Sequence, residues 1–217
     1  MSEIMDDNYY QHIRHDLIHG ISKGSNRILE VGCAEGATGL ALKQSGQALE
    51  VVGIELVAEA ARVAESRLDH VIHGDLESMS LDEPFLAPES FDYIICGDVL
   101  EHLKDPWSQL DRLLKLLKPG GAFICSLPNV RYYNVSFPLV FGDDWTYTNA
   151  GILDSTHLRF FTRSTGLRML ESAGLSNLLC TPLIHKRRDK VLKKGSFGLL
   201  SGLVTPQWIL KGIKPIV

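Results

Sequence analysis

The chain has 217 residues, 45% of them hydrophobic and 22% charged, with 22 Lys+Arg against 26 Asp+Glu and a formal net charge of -4. This composition excludes a disordered, collagenous or disulfide-scaffolded protein, and a single core burying roughly 70% of the unfolded surface supports such a length without metal or disulfide staples. Charge is unevenly spread, with +7 over residues 185–217 and -11 over residues 1–184: an acidic body disfavours nucleic acid and suits a cationic ligand, while the basic tail is either a solvated face or an attractor of anionic lipid or phosphorylated substrate.

In chain order, the opening MSEIMDDNYYQHIRHD is acidic and lacks the roughly 7–15 apolar residues of a secretory leader, so a cytoplasmic address is expected. An N-terminal helix carries Tyr9, Tyr10, His12, His15 and His19. His15 and His19 share a face, but packing, or a tyrosine laid over a bound ligand, is the preferred reading, and no metal site is expected. Strands are expected at 27–31, 49–54, 70–73, 91–97 and 122–127, and helices at 38–44, 58–67 and 107–117. The last of these helices opens at Asp105-Pro106 and stops at Lys118-Pro119-Gly120-Gly121. Residues 128–155 have no clear period, are aromatic and turn-rich, and read as a functional loop or lid. A helix at 162–173 and a strand at 175–184 follow, and 208–213 reads as a last antiparallel strand or a short amphipathic segment. Cys33, Cys96, Cys125 and Cys180 form no CxxC pair and read as reduced, buried thiols.

Short apolar strands alternating with helices imply a parallel α/β sheet, whose ligands bind at the carboxyl ends of the strands. At 28–39 a strand runs into ILEVGCAEGATG, where Gly32 and Gly36 allow close backbone approach and the following helix start offers free N–H groups. The dinucleotide pattern GxGxxG is absent, since the run is Gly32, Ala34, Gly36, Gly39, and no Tyr-xxx-Lys pair supports a nicotinamide-dependent oxidoreductase. Glu30, inside the strand, would repel pyrophosphate and attract an ammonium group. Glu55 ends the second strand, Asp75 the third, and Asp98 follows the fourth. Each acid alone reads equally as a cap or loop residue. Together they describe a ligand with a ribose, an adenine-like donor and a positive charge.

These residues, with Gly74-Asp75, FDYIICGDVLEHL and LLKPGGAFICSLPN, resemble the motifs of class I S-adenosylmethionine-dependent methyltransferases across residues 27–128. The resemblance implies a single doubly wound, Rossmann-like seven-stranded sheet, mostly parallel with an antiparallel last strand. It implies S-adenosyl-L-methionine as cofactor, with Glu30, Gly32, Cys33, Ala34 and Gly36 around its methionine part, Glu55 and Leu56 at the ribose, Gly74, Asp75 and Leu76 at the adenine, and Gly97, Asp98, Val99 and His102 alongside. Ala34 departs from the commonest pattern, where a second glycine is usual. SLPNVRYY and GILDSTHLRFFT are similar to segments of methyltransferases of glycan and lipid-linked sugar pathways and, more loosely, of ubiquinone-biosynthesis O-methyltransferases.

The expected organisation is one domain over 1–217: an N-terminal helical cap (1–26), a cofactor-binding core (27–128), a substrate loop or lid (129–161) and a C-terminal helix, strands and basic tail (162–217). His157, His102 and Asp154 are the candidate catalytic groups, and Asn129, Tyr132, Tyr133, His157 and Arg159 the candidate substrate contacts. The expected acceptor is a small or lipid-linked, sugar-containing molecule methylated on oxygen or nitrogen. A peripheral membrane contact through the tail and a homodimer are also expected. The competing reading is a catalytically silent S-adenosylmethionine-binding module serving as a partner subunit.

Overall fold

Runs of β-branched and aromatic residues, each followed by enough chain to cross back over the sheet, pair as parallel strands. In the computed structural model, which describes residues 12–216, these are β1 (Arg27–Val31), β2 (Glu50–Glu55), β3 (His70–His73) and β4 (Phe91–Cys96), joined in parallel by β5 (Leu117–Pro128). Two further strands, β6 (Ser176–Leu183) and β7 (Gln207–Ile213), complete a seven-stranded sheet of order β3-β2-β1-β4-β5-β7-β6. β7 is antiparallel to both β5 and β6, pairing Cys125 with Leu210 on one side and Cys180 with Leu210 on the other. The expected doubly wound sheet with an antiparallel final strand is therefore borne out.

Alternate residues of each strand face opposite layers. On one side Leu29, Val31, Ile94 and Phe123 pack under α4 (Pro106–Leu114) and α6 (Arg163–Ser172). On the other, Ile28, Val51, Ile95 and Ile124 meet α1 (His15–Ile18), α2 (Ala37–Gln44) and α3 (Ala58–Ala64). The Asp105 side chain accepts from Ser108 N–H at the start of α4, with Pro106 at the first helical position where its missing donor costs nothing. A reciprocal Thr162–Thr165 capping box starts α6.

Three expectations change. The lid at 128–155 contains α5 (Tyr133–Gly142), whose apolar residues show no one-sided period and which tolerates Pro138 inside it. The basic tail is not a plain extension: it folds as α7 (Arg187–Gly195), α8 (Ser201–Val204) and then β7. The helix expected at 107–117 stops at Leu114, and Leu117 begins β5 instead, buried against Phe91. Tyr9 and Tyr10 lie outside the described residues. Among the described residues no helix is long and apolar enough to cross a membrane.

Candidate functional site

Where β1 ends, Gly32, Ala34 and Gly36 all take left-handed backbone conformations (φ 69°, 49° and 77°). The turn passes so close to the segment after β4 that a Cβ on Gly32 would sit 2.6 Å from Val99 Cγ2. Glu55 fastens this loop: its Oε2 accepts from Ala34 N–H and its Oε1 from Val57 N–H, both at 2.8 Å. Glu30 lies buried beneath, with Oε2 lacking a partner among the described residues. Burial pushes its pKa up to about 8, against the opposing pull of the Gly39 amide and Arg14. The Cys33 thiol is pushed up by burial as well and is not a reactive thiolate.

Further along the edge, Asp75 caps its own turn, accepting from Glu77 N–H (2.9 Å) and Ser78 Oγ (3.2 Å), and Gly74 N–H donates to the Glu55 carbonyl (2.9 Å). Leu76 is buried in the core, whereas the Leu56 side chain is 64% exposed beside the mouth. Asp98, expected alongside the cofactor, has its carboxylate engaged within the chain. It pairs with Arg14 (2.6 Å) and accepts from Ser126 Oγ (2.7 Å) and Gln207 Nε2, so it anchors the N-terminal segment and β7 to the end of β4. Gly97 permits this, because a Cβ there would fall 2.9 Å from Leu17 Cδ1 and 3.1 Å from an Arg14 nitrogen. Sequence reasoning missed Arg14. Its signal was a lone arginine in a segment otherwise rich in histidine and acid.

A 3-10 turn, Leu100–His102, follows the fourth strand. The Glu101 carbonyl accepts from Leu158 N–H (2.8 Å) and Arg159 N–H (2.9 Å), which brings His157 to His102 with ring centroids 4.7 Å apart at 74°. Thr156 Oγ1 donates to Asp154 Oδ1 (2.7 Å), leaving its lone pairs to accept from His102 Nδ1 (3.1 Å). His157 Nδ1 lies 3.0 Å from the Ile152 carbonyl, which can only accept. In the neutral form both imidazoles therefore carry their proton on Nδ1 and leave an Nε2 lone pair free. Burial, and His157 beside it, hold the His102 pKa below the ordinary value. Asp154 orients His102 through Thr156, while the Ile152 carbonyl orients His157.

The expected substrate contacts divide. The Asn129 amide donates to the Gly202 and Thr205 carbonyls (2.8 and 2.6 Å) and its oxygen accepts from Arg131 N–H (3.2 Å), so it braces the lid to α8. The Arg159 guanidinium donates to the Lys104 and Leu158 carbonyls. Tyr132 and Tyr133 direct their hydroxyls at the fully buried Asp189 of α7 (2.7 and 3.2 Å), a residue the sequence did not mark. The Tyr132 ring still lines a cavity of about 590 Å³ with Val135, Pro138, Ile152, Leu153 and Pro206, and with His185 and Lys186 at its rim. Ile152 holds His157, and Pro206 precedes the Asp98 partner Gln207, so the cavity adjoins the acidic edge. A smaller cavity of about 320 Å³, lined by Tyr93, Lys118 and Ile213, opens near the start of β4, away from this edge.

A methyltransferase-domain family matches residues 5–179. An ubiquinone biosynthesis O-methyltransferase of Paracidovorax citrulli is 27% identical over 164 residues, 69% of this chain and 66% of that one, so the match spans just under two thirds of the relative's length. Among solved structures, a SAM-dependent methyltransferase from Archaeoglobus fulgidus is similar with a TM-score of 0.65 and 18% identity, covering 93% of this chain and 91% of that one. Haemonchus contortus phosphoethanolamine N-methyltransferase 2 in complex with S-adenosyl-L-methionine gives a TM-score of 0.63 at 15% identity, covering 97% of this chain and 53% of that one. At such identities the structural likenesses establish the fold alone.

Proposed function

Since this chain belongs to the class I S-adenosylmethionine-dependent methyltransferases, we propose that it transfers a methyl group to an oxygen, or a nitrogen, of a small or lipid-linked, sugar-containing acceptor. The observation that carries the acceptor side is the largely apolar cavity of about 590 Å³ whose wall includes Ile152, the carbonyl partner of His157 Nδ1, with the exposed Lys186 at its rim. Such a lining suits an aromatic or isoprenoid portion, and the rim cation suits a phosphate. The O-methyltransferase relative favours oxygen as the atom methylated.

The residues fit the cofactor. Glu30 offers a buried carboxylate oxygen without a partner among the described residues, the acceptor an ammonium group lacks in an apolar cradle. The Gly32–Gly36 loop leaves room where a Cβ would intrude, Glu55 and the exposed Leu56 are assigned to the ribose, and Asp75 with Leu76 to the adenine. The cofactor supplies an electrophilic methyl group. The chain supplies alignment and exclusion of water, and the His102 and His157 Nε2 atoms, oriented by Thr156, Asp154 and the Ile152 carbonyl, stand ready to take a hydroxyl proton.

Support for a lipid surface comes from α7 and the turn after it, where Arg187, Arg188, Lys190 and Lys194 are exposed beside Val191, Phe197 and Leu199. Incubating the protein with S-adenosylmethionine and a panel of catechols, nucleotide sugars and isoprenoid-linked sugars, and measuring S-adenosylhomocysteine release, tests the proposal. Turnover of one class supports it. Stoichiometric cofactor binding with no turnover across the panel favours the silent binding module.

A further inference from the structure

Outside the cofactor loop, the least satisfied group among the described residues is Glu101. Its side chain is 1% exposed, and neither carboxylate oxygen has a hydrogen-bond partner among the described residues. An ionised carboxylate left this way has given up its hydration with nothing in the surrounding described side chains to replace it.

What faces Glu101 sharpens the problem. The His102 and His157 tautomers set by Thr156 and by the Ile152 carbonyl leave an Nε2 lone pair on each ring, and an oxygen or nitrogen of each of the three residues lies within 4.8 Å of the others. In these tautomers the two lone pairs and the carboxylate have no donor among them, and one shared cation satisfies all three at once. Ligating histidines elsewhere show the same arrangement, with the remote ring N–H given to a carbonyl or a carboxylate-linked group that fixes the ring. Here Asp154 plays that part for His102 through Thr156, and Ile152 for His157.

We propose that Glu101, His102 and His157 form a divalent transition-metal site, built on the turn after β4 and closed by the segment that folds back over it. Two imidazoles and one carboxylate suit Zn2+, Mn2+ or Co2+ better than Mg2+ or Ca2+, which prefer oxygen ligands throughout. Ligand distances of about 2.0–2.2 Å require the three groups to draw together by roughly an ångström, a rotamer-scale movement. Neither histidine spacing in the sequence nor the N-terminal His15 and His19 points here, because Glu101 and His157 meet only after the chain between them has folded.

The site deepens the proposed function and rests on it in one respect. The turn lies against the Gly32 loop, through Val99, so an ion held there stands on the acceptor side of the cofactor loop and lowers the pKa of an acceptor hydroxyl bound beside it. The histidines then act as ligands, and the hydroxyl proton leaves to solvent.

Metal binding itself is testable without any acceptor. Protein stripped with chelator and dialysed is titrated with Zn2+ by calorimetry and with Co2+ by visible absorption. One equivalent is expected to bind at micromolar affinity or tighter, with Co2+ absorption bands typical of nitrogen and oxygen ligation. Glu101→Gln, nearly isosteric, is expected to weaken binding at least 100-fold, as are His102→Ala and His157→Ala, whereas His15→Ala/His19→Ala changes nothing. Thermal melting confirms that each variant is folded, and if one is not, the wild-type stoichiometry and spectrum still decide. Absence of stoichiometric binding to the wild type, or equal binding by folded His102→Ala and His157→Ala, overturns the site. S-adenosylhomocysteine affinity measured on the same stripped protein keeps the two readings apart. It is expected to persist without metal, and its loss in folded protein counts against the cofactor assignment and not against the ion.

Discussion

The backbone N–H of Ala34 donates to Glu55 Oε2 at 2.8 Å, so the acid at the end of β2 holds in place the one non-glycine residue of the loop that takes a left-handed conformation. An alanine there costs about 1–2 kcal/mol in local strain, which the charge-assisted bond offsets. Glu55 is thus a loop clamp, at the position proposed above for the ribose hydroxyls.

Ala34→Gly relieves the strain but frees the unfolded chain, and the balance favours the variant by about 0.5–1 kcal/mol. Thermal melting is expected to show a rise of roughly 1–4 °C with unchanged S-adenosylhomocysteine affinity. A fall in melting temperature would mean that the loop conformation described here is not the one in solution.

Glu30 makes stability pH-dependent. Its folded-state pKa of about 8 lies above the ordinary value of 4.5, so between those values the unfolded chain has lost the proton that the native state retains. Cofactor-free stability should therefore be highest below about pH 4.5 as far as this group is concerned, fall as pH rises toward 8, and level off beyond it. Urea unfolding at pH 6 and pH 8 is expected to show this loss in wild type and not in Glu30→Gln. Binding of a ligand ammonium reverses the preference, so S-adenosylmethionine affinity should rise with pH over the same window, with proton release visible as a buffer-dependent calorimetric heat. Identical pH profiles for wild type and variant would count against the buried acid.

Arg14 and Asp98 join the N-terminal segment to the sheet edge. Burial opposes the Arg14 charge, but Asp16 and Asp98 outweigh it and hold the guanidinium above its ordinary pKa. A double-mutant cycle of Arg14→Ala and Asp98→Asn is expected to give a coupling of about 1–2 kcal/mol in chemical denaturation, above the range of an exposed pair. Additive effects would show that the pair does not hold the segment down.

Because β7 lies between β5 and β6, deleting residues 186–217 removes an interior strand and should abolish the cooperative melt. The lipid contact is better tested by Lys190→Ala/Lys194→Ala on the exposed face of α7. At about 1 kcal/mol per basic residue, affinity for vesicles rich in phosphatidylserine should fall roughly 30-fold with an unchanged melt. Equal binding would remove the basic helix from the account.

β1 and β3 were legible to the residue, because short β-branched runs end at Gly32 and Gly74, whereas the apolar run after Pro206 left a strand and an amphipathic segment both open until the pairing with β5 showed it to be β7. The family resemblance was carried by Glu30, Glu55 and the glycine loop, all local in sequence. What stayed hidden was non-local or non-periodic. Apolar residues surround α5 on every side, so no face announced it, and the charges of α7 masked a helix anchored by the buried Asp189. Glu101 and His157 are joined only through the backbone bonds of Leu158 and Arg159, and Asn129 and Arg159 spend on carbonyls the donors that their residue types suggested for a substrate.

The central claim is that the edge built from Glu30, the Gly32 loop and Glu55 holds S-adenosylmethionine. Isothermal titration of the wild type and of Glu55→Gln with S-adenosylhomocysteine tests it most directly. The account predicts one site at roughly micromolar affinity, about −8 kcal/mol, and a loss of at least tenfold in the variant. No binding to folded wild-type protein, or equal binding to both, would contradict it.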